Sequence, residues 1–548
     1  MHSSSPLGWK DNLVYRISSV ICGKYMISLC YNIGTRYIVS IIIIASLSHS
    51  ESDLLLRGIH VIFTVVSNNN TMKKILLSLC LVLFSVVCLS KVVPNNLIGD
   101  NMVLQRNTLV RLWGKAAPGK QVRVTPSWTS AVFSATADRN GNFLVKVNTP
   151  DASMTPYSIT FDDGEGVVRV DNVLIGEVWI AGGQSNMEMP VRGFDNCPVD
   201  DYAEVVADAG WDGAIRYAKI PSIMSMEPVE NAETRWIVTS PETVMWQSAT
   251  AYFFARMLSR TLGIPVGIIE ANKGGSRVES WMTKENLEKY TTMKLDEKSI
   301  MVDWTEEWSR PLVWGNGTFN PVLNYTVAGI IFYQGCSNVG APGDEYSRLL
   351  EIMVRQWREQ IGLGDIPFYY VEIAPYAYNT VDGTGGAYLR EQQFKANALI
   401  PNSGLVCTND CVYPYETAQI HPAQKRKVGE RLAALALNRH YGKKYFEADY
   451  PTFKEMKIES GQISITFDHM TGGVNRLSGI EGFEVAGEDR VFHKATAAYK
   501  PYTNNQVIVT CPEVEKPVAV RYCFRDFLMG NLKNAVGLPV IPFRTDDW

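Results

Sequence analysis

No surplus of one charge runs through this sequence: 52 Lys and Arg face 56 Asp and Glu over 548 residues, a net charge of −4. Without a basic excess there is nothing to neutralise a phosphate backbone or anionic headgroups, so nucleic acid and charged membrane surfaces are not expected partners. No CxxC or HxxxH spacing occurs, and neither a metal nor a cofactor is expected. No internal repeat is evident. Histidine is scarce, with seven in the whole chain. Aromatics are abundant instead, at 11% with 13 Trp and 25 Tyr, which is a globular composition. The length suits about three domains.

The N-terminus reads unlike the rest. Met72-Lys73-Lys74 precedes a 15-residue apolar run, 75–89. A short basic region before such a run is the pattern of a secretory signal peptide, and the run is too short to span a bilayer, which takes about 20 residues. Two further apolar patches, 37–47 and 59–66, show neither helical nor strand periodicity. The expected division is therefore an upstream reading-frame artefact over 1–71, a signal peptide over 72–90, and an exported protein, periplasmic or secreted, from 91. Six cysteines follow residue 90: Cys197, Cys336, Cys407, Cys411, Cys511 and Cys523. An even number in an exported chain permits disulfides, with free buried thiols as the alternative.

Residues 91–173 alternate short strand-like runs with turn signals, among them Asn140-Gly141, which reads as a hairpin turn. A small antiparallel β-sandwich is expected there. Over 174–441 apolar strands alternate with amphipathic helices. Strands are expected at 173–181, 267–271, 328–333, 368–373 and 403–408, and helices at 249–262 and 345–361. In the second helix Leu349, Leu350, Met353 and Trp357 share one face. Such alternation argues for a parallel sheet covered on both sides, with its site at the carboxyl ends of the strands. Residues 442–548 return to β-like alternation.

Three of those strand ends are polar. The first runs Gly182-Gly183-Gln184-Ser185-Asn186-Met187, the second Lys273-Gly274-Gly275-Ser276, and the third Gln334-Gly335-Cys336-Ser337-Asn338. A serine after a glycine turn at the mouth of a helix serves as an N-cap or as a nucleophile backed by backbone N–H groups. A nucleophilic serine needs a base. After residue 90 only His421, His440, His469 and His493 remain, and His421 alone lies in a strand-to-helix connection of the α/β region. Pro422 suits the first turn of the next helix, which would leave His421 at its mouth.

These blocks, with Ile420-His421-Pro422, resemble in order the conserved segments of the SGNH (GDSL-like) hydrolases, and most of all the sialate O-acetylesterase-like carbohydrate esterases. The opening segment 97–105 and the closing Gly537-Leu538-Pro539 and Pro542-Phe543-Arg544 resemble that group too. The resemblance implies an α/β, flavodoxin-like, three-layer hydrolase domain with accessory antiparallel β regions at both ends. It also implies a serine esterase that cleaves acetyl esters of sugars through an acyl-serine. By position, Ser185 is the nucleophile, and His421 is the base and then the acid. The N–H groups of Ser185 and Gly275 and the side chain of Asn338 form the oxyanion hole, with Gly274 the weaker candidate of its pair.

Two features depart from that pattern. Cys336 stands where a glutamate is expected, and Ala418 and Gln419 stand where an acidic partner for the histidine is expected. Asp410 or Glu416 could supply that carboxylate, or a Ser–His dyad could operate. Arg277 and Glu279 are candidates for sugar contact or for solvated loop charges. Arg390 and Glu391 are expected to cap and pair the start of a helix. The expected substrate is an O-acetylated sialic acid. Acetylated xylan or pectin is the alternative, as is a weakened, glycan-binding protein.

Overall fold

The computed structural model describes residues 91–548, except 341–344, 460–461 and 476–478, together with the backbone of four strands before them. Those four strands are Val14–Ile21, Lys24–Asn32, Ile38–Leu47 and Leu56–Val65, each antiparallel to the next. Strand periodicity was not expected in the apolar patches 37–47 and 59–66 that two of them largely cover. Runs of Ile and Val favour extended backbone whether or not they alternate with polar residues. The expected signal peptide, 72–90, lies outside the described residues.

Residues 91–548 form one compact unit. In its first part Leu109–Lys115 pairs with Asn142–Asn148, and Gln121–Pro126 pairs with Phe133–Thr136 and Ser153–Asp162. Alternate residues of Gln121–Pro126 and Asn142–Asn148 are buried, as a strand with one face on a core requires. The turn at Asn140-Gly141 closes through Asp138 N–H to the Asn142 carbonyl. Its flanking strands belong to different sheets, so it is a corner and not the expected hairpin.

The central sheet is built from β1 (Val167–Gly183), β2 (Ile215–Lys219), β3 (Trp236–Val238), β4 (Val266–Asn272), β5 (Gly329–Tyr333), β6 (Phe368–Val371) and β7 (Ser403–Val406). Its order is β3-β2-β4-β1-β5-β6-β7, with every neighbouring pair parallel except β3 with β2. All five expected strands are present; β2 and β3 are additional. The first half of β1 pairs instead with Ser153–Asp162, so one strand runs unbroken through residue 173 from the β region into the parallel sheet.

Helices α1 (Ser185–Glu188), α2 (Ala249–Leu262), α3 (Tyr346–Ile361), α4 (Gly385–Leu399) and α5 (Lys425–Arg439) accompany the sheet. On β1, Trp179 and Ala181 join one buried cluster with Phe254 and Leu258 of α2 and Leu432 of α5. Val178 and Ile180 point the other way, into a cluster with Leu350, Met353 and Trp357 of α3 and Leu389 of α4. Both faces of the sheet are thereby covered, and a continuously apolar strand such as β4 follows from that. Ser248 caps α2 by accepting from Ala251 N–H, and Gly263 ends it at φ +70°.

Strand order reverses on either side of β1, so the carboxyl ends of β4, β1 and β5 bound a crevice. Residues after 450 form a seven-stranded antiparallel sheet with its own apolar cluster. Its ties to the central domain include Arg544 with Glu391 and Lys533 with Asp410. The six cysteines after residue 90 are free thiols. Among the described residues, no helix is long and apolar enough to cross a membrane.

Candidate active site

The three polar strand ends meet at that crevice. Gly183 has φ +139°, and a Cβ there would lie 2.3 Å from the Tyr333 carbonyl oxygen. Only glycine lets β1 turn so close to β5. Gln184 then fastens the two loops: its N–H donates to the Tyr333 carbonyl and its Oε1 accepts from Gly335 N–H at 2.7 Å. Ser185 emerges at the start of α1, half-buried and reachable from solvent.

Beside it lies Gly274, whose N–H donates to the Glu188 carboxylate at 2.7 Å. Gly275 follows at φ +76° beneath the exposed Trp308 indole, and a Cβ there would lie 2.3 Å from Trp308 Cδ1. Among the described residues, neither Ser185 nor Gly275 N–H has a protein acceptor. Both therefore remain available to an incoming oxyanion.

His421 Nε2 is 2.8 Å from Ser185 Oγ. That contact bridges 236 residues of sequence and meets the geometric requirement for a nucleophile and its base. Helix α5 begins only at Lys425, so Pro422 is not in its first turn as expected; His421 sits in the bend before it. Asn186, next to Ser185, donates to the Ile420 carbonyl at 3.0 Å and so holds the histidine loop against α1. On the far side of the imidazole, Nδ1 faces Cys197 Sγ at 3.8 Å, and Phe194 packs edge-on against the ring.

Charge around the imidazole is unusual. Lys425 is buried, with Nζ on Asn186 Oδ1 at 2.5 Å and over the Tyr333 ring. Burial lowers its pKa to about 7. Cys336, in place of the expected glutamate, packs within 4.0 Å of Asn186 Nδ2 and offers Lys425 no carboxylate; burial pushes its thiol up. Burial, then the neighbouring Lys425, lowers His421 to about 4. At neutral pH the imidazole is thus uncharged and free to accept a proton.

The expected acidic partners lie elsewhere. Although burial opposes ionisation of Asp410, its bonds to Arg431 and its neighbours Lys533 and Lys427 hold it well below the usual carboxylate range. Glu416 accepts from Tyr413 N–H and Ala423 N–H, closing the loop ahead of α5. Neither carboxylate bonds to His421.

Asn338, expected in the oxyanion hole, is held from behind. It is fully buried; Nδ2 donates to Glu279 at 2.9 Å, while Oδ1 accepts from Val278 N–H and Gln334 Nε2. The reason is Glu279, a buried carboxyl whose pKa is raised by burial and which needs a donor. Glu279 is therefore scaffold, neither solvated nor open to a sugar. Arg390 and Glu391 lie in the middle of α4, not at its start. Arg390 reaches the Arg525 carbonyl, and Glu391 pairs with Arg544 and Lys395. Cys197, Lys425, Glu188 and Trp308 were not legible as site residues, since none belongs to a recognisable block.

Residues 175–438 match the family model described as carbohydrate esterase, sialic acid-specific acetylesterase. The crystal structure of a carbohydrate acetylesterase from Xanthomonas citri superposes with a TM-score of 0.74 at 32% identity, covering 83% of this chain and 100% of that one. The chain belongs to this family of carbohydrate esterases. The esterase is also 26% identical over 403 residues to human sialate O-acetylesterase (68% of this chain, 75% of the relative). It is 24% identical over 427 residues to the mouse protein (68% and 78%). It is a carboxylic ester hydrolase.

Proposed function

We propose that this esterase removes O-acetyl groups from sialic acid through an acetyl-Ser185 intermediate, in a flavodoxin-like, three-layer SGNH domain. The observation that carries the reading is the 2.8 Å contact of His421 Nε2 with Ser185 Oγ beside two unused backbone N–H groups. As Oγ attacks the acetyl carbonyl, its proton passes to Nε2 and the oxyanion is received by Ser185 and Gly275 N–H. The imidazolium then protonates the departing sugar oxygen. Water, deprotonated by His421, releases acetate and restores the serine. Asn338 acts one step back, holding the Gly275 loop through Val278.

A sialate substrate carries a carboxylate, and two cations flank the glycine pair. Lys273 rests on the Trp314 ring, 4.9 Å from its centroid, and Arg277 is half-buried. Arg277 also interacts electrostatically with the buried Glu279 carboxyl. Acetate release across O-acetylated sialic acid, its carboxyl methyl ester, acetylated xylan and acetylated pectin tests the substrate. Preference for the free acid supports the reading; equal or better turnover of xylan or pectin overturns it. Export follows the signal-like segment 72–90, and N-terminal sequencing of secreted protein should begin close to residue 91.

A further inference from the structure

The base lacks the carboxylate that ordinarily orients it, and the position facing Nδ1 is filled by sulfur. We propose that Cys197 is the positioning residue for His421, its thiol standing where a triad acid would stand; this rests on the Ser185–His421 reading above. With Nε2 accepting from Ser185, the ring proton is on Nδ1, and its nearest acceptor is Cys197 Sγ at 3.8 Å. A sulfur acceptor makes longer and weaker hydrogen bonds than oxygen.

The thiol is itself held. It donates to Gln419 Oε1 at 3.3 Å, the same oxygen that accepts from His421 N–H at 3.1 Å. Gln419 Nε2 returns to the Asn196 carbonyl at 3.3 Å. Phe194 and Cys197 bond each other through both backbone pairs, closing a tight turn that also lays the Phe194 ring against His421. One turn and one glutamine thus fix the sulfur and the imidazole relative to each other. Gln419 occupies a place where an acid was expected, and its role becomes that of tying Cys197 to the histidine loop.

A thiol orients the tautomer but stabilises the imidazolium less than a carboxylate does. The other charged group facing the ring is Lys425, which opposes imidazolium formation. A base built this way stays neutral to low pH and accepts the serine proton with less driving force than a carboxylate-backed one.

The test uses full-length enzyme and 4-nitrophenyl acetate. Cys197→Ala should lower kcat about 3- to 10-fold, the value of one modest hydrogen bond, with KM unchanged. Cys197→Ser should recover most of the loss. Cys197→Asp should move the acid limb of kcat/KM to higher pH, because a carboxylate at Nδ1 favours the imidazolium. Methyl methanethiosulfonate on folded wild-type enzyme should lower kcat, dithiothreitol should restore it, and Cys197→Ser should be insensitive; this arm stands even if Cys197→Ala misfolds. Unchanged kcat in Cys197→Ala, an unmoved acid limb in Cys197→Asp, or equal inhibition of wild type and Cys197→Ser would each overturn the inference. Ser185→Ala separates the two levels. If it is dead while Cys197 variants are normal, only the role of Cys197 falls; if it is active, the underlying mechanism falls.

Discussion

The two sides of the proposed catalytic pair are built differently. On the nucleophile side, Ser185, Gly275 and the loop at Gln334 each sit directly at the end of a parallel strand, and glycines at φ +139° and +76° let those ends turn tightly. On the proposed base side, His421 is surrounded by its own loop neighbours Gln419 and Lys425 and by Cys197 and Asn186, which come from segments some 220 to 240 residues earlier. A strand end is a local device, so its chemistry shows in consecutive residues. A side-chain network assembled by tertiary folding leaves no such trace.

The largest effect should come from the nucleophile. Ser185→Ala is expected to cost on the order of 10⁵–10⁶ in kcat, the loss seen when a triad serine is removed, measured as acetate release. A similar loss in His421→Ala would place both sides in one unit. Asp410→Asn should instead damage stability. Removing that charge leaves Arg431 buried without its partner, for about 3–5 kcal/mol by denaturant unfolding. The molecules that remain folded should keep near-normal kcat, and a fall of several orders would make Asp410 a catalytic acid after all.

Gly275→Ala should next lower kcat about 10²–10³-fold, since a methyl group there meets the Trp308 indole and displaces a hole donor. Unchanged kcat would remove Gly275 from the hole. The smallest effect concerns pH. His421 is lowered to about 4, so neutral imidazole persists well below the ordinary ~6.5, and the acid limb of kcat/KM should fall below pH 6. Lys425→Met should move it upward by removing a like charge. The same depression makes the His421 contribution to stability complete above about pH 6.5 and lost as pH falls toward 4. A wild-type midpoint near 6.5 would contradict this environment.

The comparison also explains what could be read in advance. The five expected strands follow from short continuous apolar runs, and the helix Ala249–Leu262 and the burial of Leu350, Met353 and Trp357 from helical periodicity, both of which are local. The meeting of Ser185 with His421 was foreshadowed because one stands in a strand-end block and the other is one of few histidines. The resemblance of its block points Asn338 toward the hole, but the block carries no sign of Glu279, whose buried carboxyl engages one amide hydrogen. Likewise nothing near Asp410 announces Arg431 and Lys533, which come from α5 and the C-terminal sheet. The strands before residue 66 fall in the segment set apart because the signal-like run 72–90 follows it.

The central claim is that Ser185 is activated by His421. The most direct measurement is labelling with diisopropyl fluorophosphate followed by peptide mass spectrometry, in wild type and in His421→Ala. The account predicts stoichiometric modification of Ser185 in the wild type and its near-complete loss in the variant. Modification at another serine, or equal labelling of Ser185 without His421, would contradict it.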